Sequence, residues 1–127
     1  MYNGTEIRAN KMSRDPNPNF MAGVTELLIL RLLQEGEMYG YEVVQAIRAQ
    51  THDVVAVGEG VVYPVLHGLE RDGALKSRRK AVNGRERVYY TLTAKGARRL
   101  KDLAGTWSTL TNAIQTVLKG SARAKPV

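Results

Sequence analysis

The sequence predicts a mainly α fold with one small β-hairpin, and three observations carry that reading. Three stretches before residue 74 repeat apolar residues at three- and four-residue spacing, the period of a helix face. Asn83-Gly84 separates two short runs of strand-like residues, a strong hairpin signal because both residues tolerate positive φ. Leu100, Leu103, Trp107, Leu110, Ile114 and Val117 then recur at alternating spacings of three and four, a heptad seam along a last helix.

Residues 1–19 are polar and interrupted by Gly4, Pro16 and Pro18, so no apolar face forms and a flexible arm is expected. From Gly23 to Gln34, Val24, Leu27, Leu28, Ile29, Leu30, Leu32 and Leu33 cover most of a helix circumference, which predicts a largely buried first helix ended by Gly36. A second helix is predicted from Tyr39 to Ala49, amphipathic, with Tyr39, Val43, Ala46 and Ile47 on one face. After a loop holding His52 and Asp53, a third helix follows Gly58 and Gly60, with Val62, Val65, Leu66 and Leu69 inward and Gly73 as its stop.

The hairpin strands are predicted over Leu75–Ala81 and Arg87–Thr93. Thr93 is placed to cap the last helix by accepting from an orphan backbone N–H. That helix, of about 25 residues and so roughly 37 Å long, outruns the rest of so small a domain. Its far half needs cover from a second copy, and the seam residues Leu100, Leu103, Trp107, Leu110, Ile114 and Val117 are expected to form one dimer interface. The tail, residues 120–127, is small and basic and is expected to fray.

A chain of 127 residues, 43% hydrophobic and 24% charged, suits one globular domain. Cysteine is absent, which excludes disulfides and thiolate chemistry and fits a reducing cytoplasm. The most apolar run, Phe20 to Leu33, contains Glu26 and Arg31 and is shorter than the roughly 20 residues of a membrane span. A cytoplasmic protein without membrane contact is expected.

The net charge of +7 is unevenly distributed. Residues 20–75 hold eight acids against three bases, whereas Lys76, Arg78, Arg79, Lys80, Arg85 and Arg87 crowd the hairpin against the single acid Glu86. Such a concentration predicts a directed contact with a polyanion. Three helices, a two-stranded wing and a long helix form the order of a winged helix-turn-helix plus a long C-terminal dimerisation helix. Residues 20–93 would make the DNA-binding domain and residues 94–119 the dimerisation helix.

Three stretches narrow this further. Glu26-Leu27-Leu28-Ile29-Leu30 is followed by Glu35-Gly36 and Tyr39-Gly40-Tyr41-Glu42-Val43. Val62-Tyr63-Pro64-Val65-Leu66-His67-Gly68-Leu69-Glu70 leads to Asp72-Gly73-Ala74-Leu75, and Arg87-Val88-Tyr89-Tyr90-Thr91-Leu92-Thr93-Ala94-Lys95-Gly96 closes the series. In this order they resemble the PadR family of transcription regulators, in its short subgroup with a single C-terminal helix. The chain departs from the family pattern at Gly58-Glu59-Gly60-Val61, which supplies no hydroxyl to cap the third helix.

The resemblance implies a homodimeric repressor on double-stranded DNA at an inverted-repeat operator. It makes the third helix the recognition helix and puts Tyr63 in contact with DNA, with Tyr41 steadying the backbone at the groove edge. It also implies that Trp107 and its dimer mate can hold a planar aromatic effector. From the residues themselves, Tyr63 and His67 share one helix face and Arg71 is the only cation of that helix. Asn83 and Gly84 at the wing tip complete the candidate DNA-binding set with the six hairpin cations.

Other classes find less support. His67 and Glu70 are spaced for a metal, but no second ligand pair accompanies them, so neither metal nor other cofactor is expected. No nucleophile and base, and no phosphate-cradling Gly-rich loop, suggest an enzyme. At 6% aromatic residues the chain is poor in stacking platforms for RNA. A winged helix serving only as a protein-interaction module would need the last helix but not the wing cations.

Overall fold

A computed structural model describes residues 18–120, with side chains from Phe20 onward. The elements run α1 (Pro18–Glu35), β1 (Met38–Tyr39), α2 (Gly40–Gln50), α3 (Glu59–Arg71), β2 (Leu75–Val82), β3 (Arg85–Leu92) and α4 (Ala94–Leu118). The fold is mainly α with a small sheet, as expected. Of the arm predicted over residues 1–19, Pro18 and Asn19 are instead helical and the rest lies outside the described residues, as does the predicted tail after Gly120.

Helix α1 starts five residues earlier than the apolar pattern suggested, at Pro18. Proline suits a first helical position, where its missing N–H would have had no partner and its φ is preset. Ile29, Leu30 and Leu33 of α1 meet Val43 and Ile47 of α2 and Val62, Leu66 and Leu69 of α3 in one core, closed by Leu75, Tyr90 and Leu100. Each fully buried aliphatic side chain there contributes roughly 1.5–3 kcal/mol.

The sheet has three antiparallel strands in the order β1-β3-β2, where the sequence had suggested two. Met38 and Tyr39, the latter expected to open the second helix, pair with Tyr90 and Tyr89. Helix α2 therefore begins one residue later, with the Tyr39 N–H donating to the Glu42 carboxylate at 3.1 Å. The hairpin turn holds Asn83 at φ 54° and Gly84 at φ 77°, the double positive φ that the Asn-Gly pair announced. The strands reach one residue closer to the turn on the first side and two on the second, so that Val82 faces Arg85.

Helix α4 has 25 residues and is capped by Thr93, whose Oγ1 accepts from the Gly96 N–H at 3.0 Å. The same hydroxyl donates to the Ala74 carbonyl at 2.9 Å, fastening the helix start to the α3–β2 connection. Its apolar seam divides, which corrects the reading of it as one interface. Leu100 is 6% exposed and belongs to the chain's own core, and Leu103 packs partly against that core. Trp107 is half-buried with its ring centroid 6.0 Å from that of Phe20. Past Trp107 the cover ends: Leu110, Ile114 and Val117 are 50%, 47% and 76% exposed. The physical reason is length, because α1 starts beside Trp107 and nothing described packs on the last three turns of α4.

Candidate nucleic-acid interface

Helix α3 turns Val62, Leu66 and Leu69 to the core, which brings Tyr63 and His67 to its outer side. The helix opens at Gly58 with no side-chain cap, leaving its first N–H groups for another acceptor. Pro64 cannot donate within the helix, yet α3 continues unbroken past it.

Tyr63 is half-buried because it lies against the start of α2. A Cβ added to Gly40 would sit 2.4 Å from the Tyr63 ring, so only glycine permits this approach. Burial in the first place, with the nearby Glu59 carboxylate and Tyr39 adding to it, raises the Tyr63 phenol above its ordinary value of 10.0. The hydroxyl is thus held as a neutral hydrogen-bond donor. The His67 ring lies 6.1 Å from that of Tyr63 and its side chain is exposed.

Tyr63 and His67 line a recess of about 410 Å³ together with Arg87 and Val88 of β3 and with Tyr39, Gly40 and Tyr90. The Arg87 guanidinium stacks over the Tyr39 ring at 4.2 Å, which fixes a delocalised cation beside the α3 donors. Residues 24 apart in sequence, Tyr63 and Arg87, thereby present a phenol, an imidazole and a guanidinium to one place. All three are suited to phosphate oxygens, and the imidazole also to a base edge.

The remaining hairpin cations are distributed by the two-residue period of the strands. Lys76, Arg78 and Lys80 share a face with Arg87 and Tyr89, because Arg78 is registered with Tyr89 and Lys80 with Arg87. Lys80 stands over the Tyr89 ring at 4.2 Å. Arg79 points to the opposite face, 3.6 Å from Glu86 in an exposed pair that holds it weakly. Asn83, Gly84 and Arg85 form the exposed tip.

One acid that the sequence reading passed over bears on this face. Glu37, just before β1, accepts two hydrogen bonds from Arg78 Nη2 at 3.1 and 3.2 Å and one from Arg78 Nε at 3.3 Å. It also accepts from Lys80 Nζ. The Lys80 hydrogen bond, ahead of those from Arg78, holds the Glu37 carboxyl below its usual 4.5, so it is ionised at neutral pH. The six hairpin cations are therefore not equivalent. Among the described residues Arg71, Lys76 and Arg85 make no ion pair, whereas Arg78 and Lys80 share a carboxylate.

Tyr41 lies apart from the recess. It is 46% exposed and lines a second hollow, of about 450 Å³, with Gln45, Arg48 and Glu59 among its neighbours. Arg48 was missed in the sequence, although its place seven residues beyond Tyr41 puts it on the same helix face. Glu37 was missed because it sits in a connection too short to show any period, and Tyr39 because its spacing with Val43 and Ala46 assigned it to the apolar face of the second helix. Among the described residues no three His, Cys, Asp or Glu side chains are grouped to hold a metal ion, and no helix is long and apolar enough to cross a membrane.

A family model described as the transcriptional regulator PadR-like family matches residues 29–102. The transcriptional regulator Rv3488 of Mycobacterium tuberculosis is 34% identical over 77 residues, which span 61% of this chain and 69% of that protein. Among solved structures, a transcriptional regulator from Clostridium thermocellum is 30% identical with a TM-score of 0.71, over 77% of this chain and 96% of its own. A PadR family transcriptional regulator from Eggerthella lenta is 27% identical with a TM-score of 0.67, over 76% and 82%.

Proposed function

This chain belongs to the PadR-like family of transcriptional regulators, and from that premise we propose that it acts as a homodimeric repressor on an inverted-repeat operator. Residues 20–93 form the reading unit, with α3 in the major groove and the β2–β3 hairpin against the neighbouring backbone. Residues 94–119 form the dimerisation helix. The observation that carries the reading is the recess at which Tyr63 and His67 of α3 meet Arg87 of the hairpin, since helix and wing then address one stretch of duplex. Two-fold symmetry calls for half-site centres about 34 Å apart, or a multiple of that. Occupying promoter DNA in the cytoplasm is enough to block transcription sterically.

The cations outside the Glu37 pair provide the test. Each phosphate contact releases about 0.9 counterion on a duplex, so the double variant Arg79→Ala/Arg85→Ala should flatten the slope of log affinity against log salt by about 2 per half-site. Binding should weaken on all duplexes alike. A slope equal to the wild type would leave the wing a solvated surface and favour a protein-interaction module.

An effector held at Trp107 completes the proposal. Trp107 has an aromatic neighbour in Phe20 and sits where the covered part of α4 gives way to the exposed part. A planar aromatic compound taken up between the two Trp107 rings of a dimer would change the separation of the α3 helices, and only its differential affinity for the two separations can move operator affinity. Titration with planar aromatic dyes should quench Trp107 fluorescence saturably and shift DNA affinity. Quenching without any such shift would make Trp107 interface packing alone.

A further inference from the structure

Among the described residues Glu37 is the acid that pairs with Arg78 and Lys80 on the cationic face of the hairpin, and its surroundings are unusual for a surface ion pair. Its carboxylate engages two cations at once through four hydrogen bonds, and its side chain is only 26% exposed. It comes from the loop before β1, 41 residues from Arg78 and 43 from Lys80, so no local pairing rule brings it there. Strand β1 does, by pairing Met38 and Tyr39 with the centre of β3. Lys80 is also held by the Tyr89 ring at 4.2 Å, which Tyr39 of β1 meets edge-on at 5.4 Å.

A carboxylate that accepts from a guanidinium and an ammonium at these distances uses the donors that a DNA phosphate would use. Arg78 keeps its Nη1 donors and Lys80 two of its three N–H groups, but a phosphate that reaches them meets the negative charge of Glu37 beside it unless the pairs part. We propose that Glu37 is a built-in competitor for DNA phosphate, which lowers the sequence-independent affinity of the wing and so leaves discrimination to the contacts of α3. The inference rests on the DNA-binding reading above and deepens it. It adds a residue that sets the ratio of specific to non-specific binding, without itself touching DNA.

The competitor acts through charge, and the experiment separates charge from anchoring. The full chain, as wild type, Glu37→Gln, Glu37→Asp and Arg79→Ala/Arg85→Ala, is titrated with a mixed-sequence DNA duplex over a range of salt. Glu37→Gln keeps the shape of the side chain and removes its charge. It should bind the duplex about five- to tenfold more tightly at low salt, because a like-charge contact is relieved. Its salt slope should steepen by about 1 per protomer, since Arg78 and Lys80 then neutralise phosphate without opposition. Glu37→Asp retains the charge on a shorter arm and should keep the wild-type slope. Removing Arg78 should cost more affinity in the Glu37→Gln background than in the wild type.

If Glu37 merely anchors β1, Glu37→Gln and Glu37→Asp lower the unfolding midpoint together and neither steepens the slope, which overturns the proposal. A Glu37→Gln slope equal to the wild type, with the Arg79/Arg85 variant still flattened, overturns it while leaving DNA binding intact. If the Arg79/Arg85 variant is itself unchanged, the failure belongs to the DNA-binding reading.

Discussion

Leu110→Glu is expected to yield monomers and to lower operator affinity by about 100-fold or more. Leu110, Ile114 and Val117 continue the seam of α4 beyond the reach of α1, and all three are at least 47% exposed in the single chain. Against a second copy they would be covered, at roughly 1.5–3 kcal/mol for each side chain that becomes fully buried. A carboxylate at position 110 would enter that contact twice, once from each protomer, with no cation on the seam to receive it. Two linked half-site contacts exceed one by about 10²- to 10⁴-fold, and this is what dissociation forfeits. Sedimentation and circular dichroism together check the result, since Leu110 lies outside the core and the monomer should keep its helix content. A tight dimer of the variant would remove the exposed seam from the interface. The corresponding change at Leu100 should instead unfold the chain, because that residue belongs to the core.

Gly96→Ala should cost about 3 kcal/mol of stability, at the upper end of what overpacking usually costs. Gly96 sits in the first turn of α4, where an added Cβ would lie 2.1 Å from the Ala74 carbonyl oxygen and 2.7 Å from Leu92 Cδ1. The Leu92 side chain can rotate away, but the Ala74 carbonyl cannot. It accepts from the Thr93 N–H at 3.1 Å and from the Thr93 hydroxyl at 2.9 Å, in a residue with no exposure at all. The helix start would have to lift from the α3–β2 connection, straining the Arg99 contacts one turn on with Glu26 at 2.6 Å and Asp72 at 3.5 Å. For a domain of this size the loss corresponds to a melting temperature lower by ~10 °C, read by thermal unfolding. A midpoint within a degree or two of the wild type would show that the junction gives way freely.

Gly96 also shows why parts of the molecule were legible and others were not. As part of the Thr93-Ala94-Lys95-Gly96 stretch it belongs to a cap recognisable in sequence, yet the reason for a glycine there is a carbonyl 22 residues earlier in the chain. Gly40 repeats the lesson, since its missing side chain makes room for Tyr63, 23 positions away. Tyr63 and His67 were readable as one helix face because their spacing is local. Their meeting with Arg87 and Tyr39 was not, because it depends on how β3 lies against α3.

Local sequence features alone set the order of the helices and the hairpin, the Asn83-Gly84 turn, the Thr93 cap, the length of α4 and the concentration of cations within β2 and β3. All of these follow from short-range causes: apolar period, allowed φ, an orphan N–H within one turn and the linear run of charge. The tertiary structure alone decided that Met38 and Tyr39 form a third strand, that Glu37 occupies Arg78 and Lys80, and that the α4 seam is core at Leu100 but exposed at Leu110. A heptad pattern states which residues seek cover but not what covers them, and a count of charges does not say which are already paired. Both depend on contacts between residues far apart in the chain, where hydrogen-bond geometry and the reach of neighbouring elements set the outcome.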